Sequence, residues 1–222
     1  MDVDWIISIV VFLFFVSLSF SFYSAIINQN KTDFENIAFS EIEKINSFLS
    51  VDVYELPVIY ESNEAVTNAV LKAQGIWYYG EKNATIVLAG DQNLPCKIDD
   101  DALYWQADIE PNKNYFVVKI ANLNTSLLCN ASFSTSNYNL TIPLVFEKQS
   151  MLSLTKINEM INMDYENFKK IVGVNKNFKI IIDDMYEYGR SPPKGAINVY
   201  SKNYRKKIFE NSQWANVTIV LW

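Results

Sequence analysis

The chain has 222 residues, of which 50% are hydrophobic, 14% aromatic and 20% charged, so it can bury a sizeable core and is not intrinsically disordered. Histidine is absent, which excludes imidazole metal sites and every nucleophile that depends on a histidine base. A net charge of −6 argues against a nucleic-acid partner, because phosphates require a basic surface.

The strongest signal in the sequence is an apolar run near its start. Residues 5–30 contain no charge, and residues 5–27 are apolar apart from scattered serines. A helix over residues 5–27 would be about 35 Å long, which is enough to cross a hydrocarbon core of about 30 Å. A cleaved signal peptide is the alternative, but the run is longer than a signal-peptide core and residues 1–4 contain no Lys or Arg. We therefore predict an uncleaved, single-pass membrane anchor.

Two features indicate that the globular part lies outside the cell. Cys96 and Cys129 form an even pair, which predicts a disulfide in an oxidising compartment, with two buried free thiols as the alternative. Six N-x-S/T sequons provide candidate glycosylation sites at Asn30, Asn83, Asn124, Asn130, Asn139 and Asn216. Strand alternation in an Asn-rich chain also generates this pattern without any glycan, because residues two apart share a face.

An amphipathic pattern continues beyond the apolar run. Neither Gly nor Pro occurs in the first 50 residues, so nothing there interrupts a helix. The pattern predicts one unbroken helix over about residues 5–49, the first half in the membrane and the second half a stalk. Apolar residues recur along the stalk at spacings of three and four: Phe34, Ile37, Ala38, Ile42, Ile45, Phe48 and Leu49.

From about residue 51 to residue 148 the period changes to two, which indicates β-strands. Residues 103–109 alternate, a Pro-Asn-Lys-Asn turn follows, and residues 116–120 alternate again, which predicts a hairpin. Further strands are predicted at residues 127–133 and 138–142. Short antiparallel strands at this spacing are typical of a sandwich.

The C-terminal third returns to a helical pattern and closes with strands. We predict a helix over residues 153–172 with Gly173 as its C-cap. Strands should follow at residues 178–182, 196–200, 204–209 and 214–222, and the last of these should be central to its sheet with Ala215, Val217, Ile219 and Leu221 on the buried face.

These patterns together predict an α+β fold. A mainly antiparallel β, sandwich-like head stands on a long N-terminal helix that is transmembrane and then amphipathic. The expected units are the helix (residues 1–50), a β-sandwich-like domain (residues 51–150), and a C-terminal helix with antiparallel strands that packs on the head (residues 151–222).

No group of residues indicates a catalytic or metal site. The acidic runs at residues 99–101 and 183–184 lack the spacing of a calcium loop. A basic group fits a solvated hairpin better than a phosphate site and consists of Lys202, Arg205, Lys206 and Lys207. We predict no catalytic residue, no cofactor and no metal, with a tethered enzyme that uses paired carboxylates as a remaining alternative.

Aromatic residues of the strand region either fill the core or form a binding face. They are Trp77, Tyr78, Tyr79, Tyr104, Trp105 and Tyr115. Strand alternation predicts that Trp105 points inward and Tyr104 outward, so only some of these rings are available to a ligand.

The order of elements resembles that of archaeal type IV pilin-like surface proteins. The resemblance rests on the run that opens with Asp4-Trp5-Ile6-Ile7-Ser8 and continues to Ile27, on the amphipathic continuation to Leu49, and on the closing strands to Trp222. The chain differs in that residues 1–4 contain neither the basic residue nor the Gly or Ala that precedes the apolar run of class III signal peptides.

The resemblance implies a non-enzymatic, single-pass cell-surface protein with a structural or assembly role. Its partners would be the membrane and other pilin-like subunits or copies of itself. The alternative interpretation is a membrane-tethered binding module whose β-domain holds a glycan or a surface-layer partner. Neither interpretation includes nucleic acid.

Overall fold

The computed structural model describes residues 3–77, 81–99, 101–141, 146–183, 185–196 and 198–222, with the side chains of residues 3–8 and 27–33 excluded. The fold is α+β, with one long N-terminal helix and mainly antiparallel strands. In chain order the elements are α1 (Val3–Leu49), β1 (Ser50–Ser62), β2 (Val66–Gln74), β3 (Thr85–Ala89), β4 (Gln92–Asn93), β5 (Cys96–Asp99), β6 (Ala102–Ile109), β7 (Asn112–Ala121), β8 (Asn139–Leu140), β9 (Glu147–Leu152), α2 (Leu154–Ile161), α3 (Tyr165–Val172), β10 (Phe178–Ile182), β11 (Tyr186–Gly189), β12 (Tyr200–Lys207) and β13 (Trp214–Leu221).

The helix α1 runs without a break to Leu49, which confirms the prediction of one continuous helix. The chain passes directly into β1 at Ser50, so no linker separates the helix from the sheets. Spacings of three and four place a stripe of apolar residues on one side of the last turns. This stripe is fully buried and consists of Ala38, Ile42, Ile45 and Leu49.

Within the described residues the strands form three sheets. The large head sheet has the order β4-β3-β7-β1-β9, the small head sheet β5-β6-β2-β8, and the C-terminal sheet β11-β10-β13-β12. The described pairings between these strands are antiparallel except for the short parallel contact of β8 with β2. We use "head" for residues 50–152, which contain both head sheets.

The two head sheets contribute side chains to one buried cluster. Trp105 of β6 lies fully buried in it, with its ring edge against Phe116 of β7 at 6.0 Å between centroids. Both sheets contribute alternate residues, as period-two strands with one buried face require. The cluster includes Leu56, Val58, Leu71, Val87, Leu103, Trp105, Phe116, Val118 and Ile120.

The strands β6 and β7 do not form the predicted hairpin. β6 pairs with β2 and β5 in the small head sheet, whereas β7 pairs with β1 and β3 in the large head sheet. The turn between them is closed by Asn114, whose side chain accepts from the backbone N–H of Glu110 and donates to its carbonyl, both at 2.9 Å. The hairpin prediction was wrong because alternation reveals the buried face of a strand but not its neighbour.

Three other predicted boundaries also differ from the structure. Residues 127–133 form no strand beyond an isolated bridge at Asn130, and of the predicted strand 138–142 only β8 is present, with Ile142 outside the described residues. The predicted helix 153–172 is two helices, because Asp164 accepts hydrogen bonds from two backbone N–H groups and starts α3. Gly173 caps α3 in the left-handed conformation, as predicted.

The C-terminal sheet packs against the second half of α1. Its strand β13 lies between β10 and β12, as predicted. The strand β12 covers Tyr200–Lys207, so only Tyr200 of the predicted strand 196–200 and residues 204–207 of the predicted strand 204–209 belong to it. The inner face of β13 joins the buried stripe of α1 and the helices α2 and α3 in one cluster. That face consists of Ala215, Val217, Ile219 and Leu221. The stalk therefore packs on the inner face of β13.

The turn between β12 and β13 attaches the C-terminal sheet to the head. Phe209 is fully buried against the outer face of the large head sheet. The Glu210 carboxylate accepts from the backbone N–H groups of Leu154 and Thr155 at 2.9 and 3.1 Å, so it caps the start of α2. The buried Lys119 ammonium of β7 donates to the Ser212 hydroxyl at 3.0 Å.

Replacing Ile42 by Ala should lower the free energy of unfolding by about 2–5 kcal/mol, because it leaves a cavity in the cluster that α1 shares with the C-terminal sheet. Ile37 lies on the same helix but is 49% exposed. Replacing Ile37 by Ala is the matched control and should change the free energy by no more than about 0.5 kcal/mol. Urea unfolding of the full chain in micelles measures both, and equal effects would show that the stalk is not part of the core.

Reduction should raise the intact mass by about 2 Da, because the structure joins Cys96 to Cys129 across a sequence separation of 33 residues. Replacing both cysteines by Ala should cost about 3–4 kcal/mol of stability through the greater entropy of the unfolded chain. An unchanged mass after reduction would contradict the disulfide and remove a main support for an oxidising compartment.

Candidate functional site

The window Ile9–Ile26 of α1 packs against no other described part of the chain. The window Ile9–Ile26 has a mean hydropathy of 2.2, and none of its residues is buried. Exposed apolar surface costs about 25 cal/mol per Å² in water, so transfer of this stretch to an apolar environment would be favourable. The segment is long and apolar enough to cross a membrane, a property that N-terminal signal sequences share.

Polar contacts fasten the second half of α1 to the loop after α3. The Glu41 carboxylate is only 3% exposed and accepts from the backbone N–H groups of Asn175 at 3.0 Å and Lys176 at 3.1 Å. On the next turn, the Lys44 ammonium donates to the carbonyl of Gly173 at 2.9 Å. These contacts satisfy backbone groups at and beyond the end of α3 that have no helical partner.

A second set of contacts joins α1 to β12. The Lys202 ammonium and the Tyr204 hydroxyl both donate to Glu43 Oε1 at 2.9 Å. The hydrogen bond from Lys202 lowers the pKa of the Glu43 carboxyl, and the same bond raises the pKa of the Lys202 ammonium. The Lys206 ammonium donates to the hydroxyl of Ser50, the first residue of β1 directly after α1, at 2.9 Å, and burial lowers the pKa of Lys206.

The basic group predicted from the sequence does not converge on one site. Lys202 and Lys206 lie on the face of β12 toward α1, because residues an even number apart share a face. Arg205 and Lys207 lie instead against the Trp214 ring, 5.2 and 5.6 Å from its centroid. Two members of the group therefore attach β12 to the region of the stalk, and the other two contact the Trp214 ring.

The acidic runs are engaged in local contacts. Asp101 pairs with Lys82, and Asp99 with Lys97 at 3.2 Å. Asp183 accepts from the backbone N–H of Asn216 at 2.8 Å. Asp100 and Asp184 lie outside the described residues. Among the residues that are described, no three His, Cys, Asp or Glu side chains are grouped as metal ligands would be.

The sequon asparagines whose side chains are described are all exposed: Asn83, Asn124, Asn130, Asn139 and Asn216. The Asn30 side chain lies outside the described residues. The hydroxyl-bearing residues differ, because Thr85 is fully buried and the Thr141 hydroxyl donates to the carbonyl of Lys72 at 2.8 Å. The asparagines are thus accessible, whereas these two sequon threonines are covered in the folded chain.

The aromatic residues of the head divide between core and surface. Trp105 is fully buried, as predicted, but Tyr104 is also buried, because the ring of Tyr138 and the side chain of Lys72 cover it. Tyr115 is 64% exposed. Trp77 donates from Nε1 to the carbonyl of Asp101, while Tyr78 and Tyr79 lie outside the described residues.

Sequence reasoning missed Tyr138 as a candidate binding residue. Tyr138 is 45% exposed and lines a polar groove of about 600 Å³ at the edge of the small head sheet. The available signal was the composition of residues 134–139, where serine and asparagine surround one tyrosine.

No protein-family model, curated protein or solved structure matches the chain. Function is therefore inferred from the residues and their geometry.

Replacing Glu43 by Gln should destabilise the chain in a pH-dependent way. The lowered pKa of Glu43 means that its contribution is present above its ordinary value of 4.5 and is lost as the pH falls through the lowered pKa. The raised pKa of Lys202 means that its contribution is present below 10.5 and is lost as the pH rises through the raised pKa. The melting difference between the two chains should therefore be constant from about pH 5 to about pH 10 and shrink outside that window.

The matched control is Glu61→Gln, because Glu61 forms an exposed ion pair with Lys113 in the head. Exposed pairs contribute little to stability, so this variant should melt like the unaltered chain at every pH. A Glu43→Gln difference that persists unchanged at about pH 2 would show that the ion pair is not its source.

Proposed function

We propose that this chain is a non-enzymatic, single-pass cell-surface protein of pilin-like build with a structural or assembly role. The observation that carries the proposal is that one helix holds both the exposed apolar window Ile9–Ile26 and the buried stripe of the C-terminal cluster. A helix of this kind connects a bilayer, or the core of a filament, to a folded head without a flexible hinge.

The contacts of α1 suit a part that bears load. Glu41 and Lys44 bind the loop after α3, and Glu43 binds β12, so adjacent turns of the helix are held from two directions. A buried carboxylate with two backbone donors is costly to pull apart, because each group would be left without a partner. Force applied to the membrane half would therefore reach the C-terminal sheet directly.

Several observations support a head outside the cytoplasm. The disulfide between Cys96 and Cys129 fits an oxidising compartment, and the exposed sequon asparagines are accessible to a glycosyltransferase. The shared cluster between the two head sheets supports a sandwich-like head. We therefore infer a cell-membrane location with the head on the outside.

The test uses cells that produce the full chain. We expect it to stay in membranes washed with alkaline carbonate, to be cut by a protease added to intact cells, and to keep Ile9–Ile26 in the mature chain when its N-terminus is sequenced. Electron microscopy with a labelled antibody should find the chain in filaments if its role is assembly, and absence of filaments would favour the tethered binding module.

The matched variants alter Phe12 and Phe15, two exposed residues of the apolar window. Changing both to Arg should release the chain from the membrane, because each Arg costs about 2.5–3.5 kcal/mol near the middle of a membrane helix. Changing both to Leu should leave it anchored. A mature N-terminus within or beyond the window Ile9–Ile26 would identify a cleaved signal sequence and refute the proposal.

A further inference from the structure

A groove lies between β2 and the segment of residues 134–139, at the edge of the small head sheet. Its volume is about 600 Å³, within the range of about 300–1,000 Å³ that small-ligand sites occupy. Of the described residues that line it, none is charged. Amides and hydroxyls dominate the lining, namely Asn68, Gln106, Asn137, Asn139, Ser134 and Ser136.

The aromatic ring of the groove is held in place before any ligand arrives. The Lys72 ammonium lies 4.3 Å from the centroid of the Tyr138 ring. The edge of Tyr104 meets the same ring at 5.8 Å, with the planes at 77°. Tyr138 still exposes 45% of its surface, so an accessible part of the ring remains beside the amides. A fixed aromatic surface loses little conformational entropy when a ligand stacks on it.

A β-bulge shapes one wall of the groove. The register of β2 against β6 shifts between Val66 and Ala69, and Asn68 adopts a left-handed φ of 52°. The backbone N–H of Asn68 donates to the Asp108 carboxylate at 2.9 Å, which holds this conformation. Bulges of this type redirect side chains and are frequent beside binding sites.

The polar groups of the groove are available to a ligand. In the described part of the chain, the side-chain amides of Asn68, Gln106, Asn137 and Asn139 form no hydrogen bond. Each amide has two donors and an accepting oxygen, so it can pair with a hydroxyl that donates and accepts at once. An anionic ligand would instead require a basic lining, and Lys72 is buried beneath the tyrosine.

We propose that this groove binds a neutral glycan carried by a partner molecule. The apolar C–H face of a pyranose would stack on Tyr138, and its hydroxyls would pair with the surrounding amides. Glycan binding at this groove does not require a membrane anchor, so this proposal can be tested independently of the pilin-like function proposed above.

The test measures binding of the full chain to an array of neutral and anionic oligosaccharides. The chain should be produced in cells without N-glycosylation and kept in a detergent that has no sugar headgroup, because alkyl glycosides would compete. We expect binding to at least one neutral oligosaccharide. Binding only to anionic glycans, or to none of the array, would overturn the proposal.

Variants locate the site. Tyr138→Ala should weaken binding at least tenfold, whereas Tyr138→Phe, which keeps the ring, should retain it. Tyr115→Ala is the matched control, because Tyr115 is an exposed tyrosine of β7 outside the groove, and its loss should leave affinity unchanged. Asn137→Ala removes an exposed amide of the groove lining, so weaker binding with unchanged melting would support the site even if Tyr138→Ala unfolds.

Equal binding by the unaltered chain, Tyr138→Ala and Asn137→Ala would place the glycan elsewhere and overturn the proposal. The chain's own sugar at Asn139 is the other possible occupant, because this sequon lines the groove. Measuring the intact mass of the chain from its natural cells distinguishes a partner's glycan from the chain's own sugar. If a glycan mass disappears in Asn139→Gln, and the glycosylated chain binds nothing on the array while Asn139→Gln does, the chain's own sugar fills the groove and the proposal fails.

Discussion

The stalk half of α1 packs its buried stripe against the C-terminal sheet, and the rest of the structure depends on this packing. Its stripe from Ala38 to Leu49 is fully buried, while the same helix exposes the apolar window Ile9–Ile26. Buried large aliphatic side chains each stabilise a fold by about 1.5–3 kcal/mol. The C-terminal sheet therefore gains part of its core, Ile42, Ile45 and Leu49, from a helix that comes first in the sequence. The helix that carries the apolar window Ile9–Ile26 is therefore also needed for the folding of the C-terminal sheet.

The head is joined to this assembly by a small number of specific contacts. Phe209 packs on the large head sheet, Glu210 caps α2, and Lys119 binds Ser212, all within or against one turn between β12 and β13. Because β1 follows α1 without a linker, the head is fixed at both ends, by its first strand and by this turn. The groove beside Tyr138 belongs to the other sheet of the head. None of the described residues that line this groove belongs to the stalk, so the proposed glycan would not contact it.

Local pattern in the sequence predicted those parts of the fold that depend on one element at a time. The unbroken α1 follows from the absence of Gly and Pro, the buried face of β13 follows from alternation, and Gly173 follows from its position after a helical pattern. The pairing of β6 and β7 with strands of different sheets was not predictable, because alternation carries no information about neighbours. Tyr138 was missed for the same reason, since its exposure depends on how Tyr104 and Lys72 cover one side of its ring.

Hydrogen exchange measured by mass spectrometry on two truncated chains tests the central role of the stalk most directly. A chain of residues 33–222 keeps the buried stripe of α1, and a chain of residues 51–222 loses it. In the longer chain, peptides from β10 and β13 should be protected and the protein should remain soluble. In the shorter chain, those peptides should exchange rapidly while peptides from β1 and β7 stay protected. Equal protection of β10 and β13 in both chains would show that the C-terminal sheet does not need the stalk and would contradict the account.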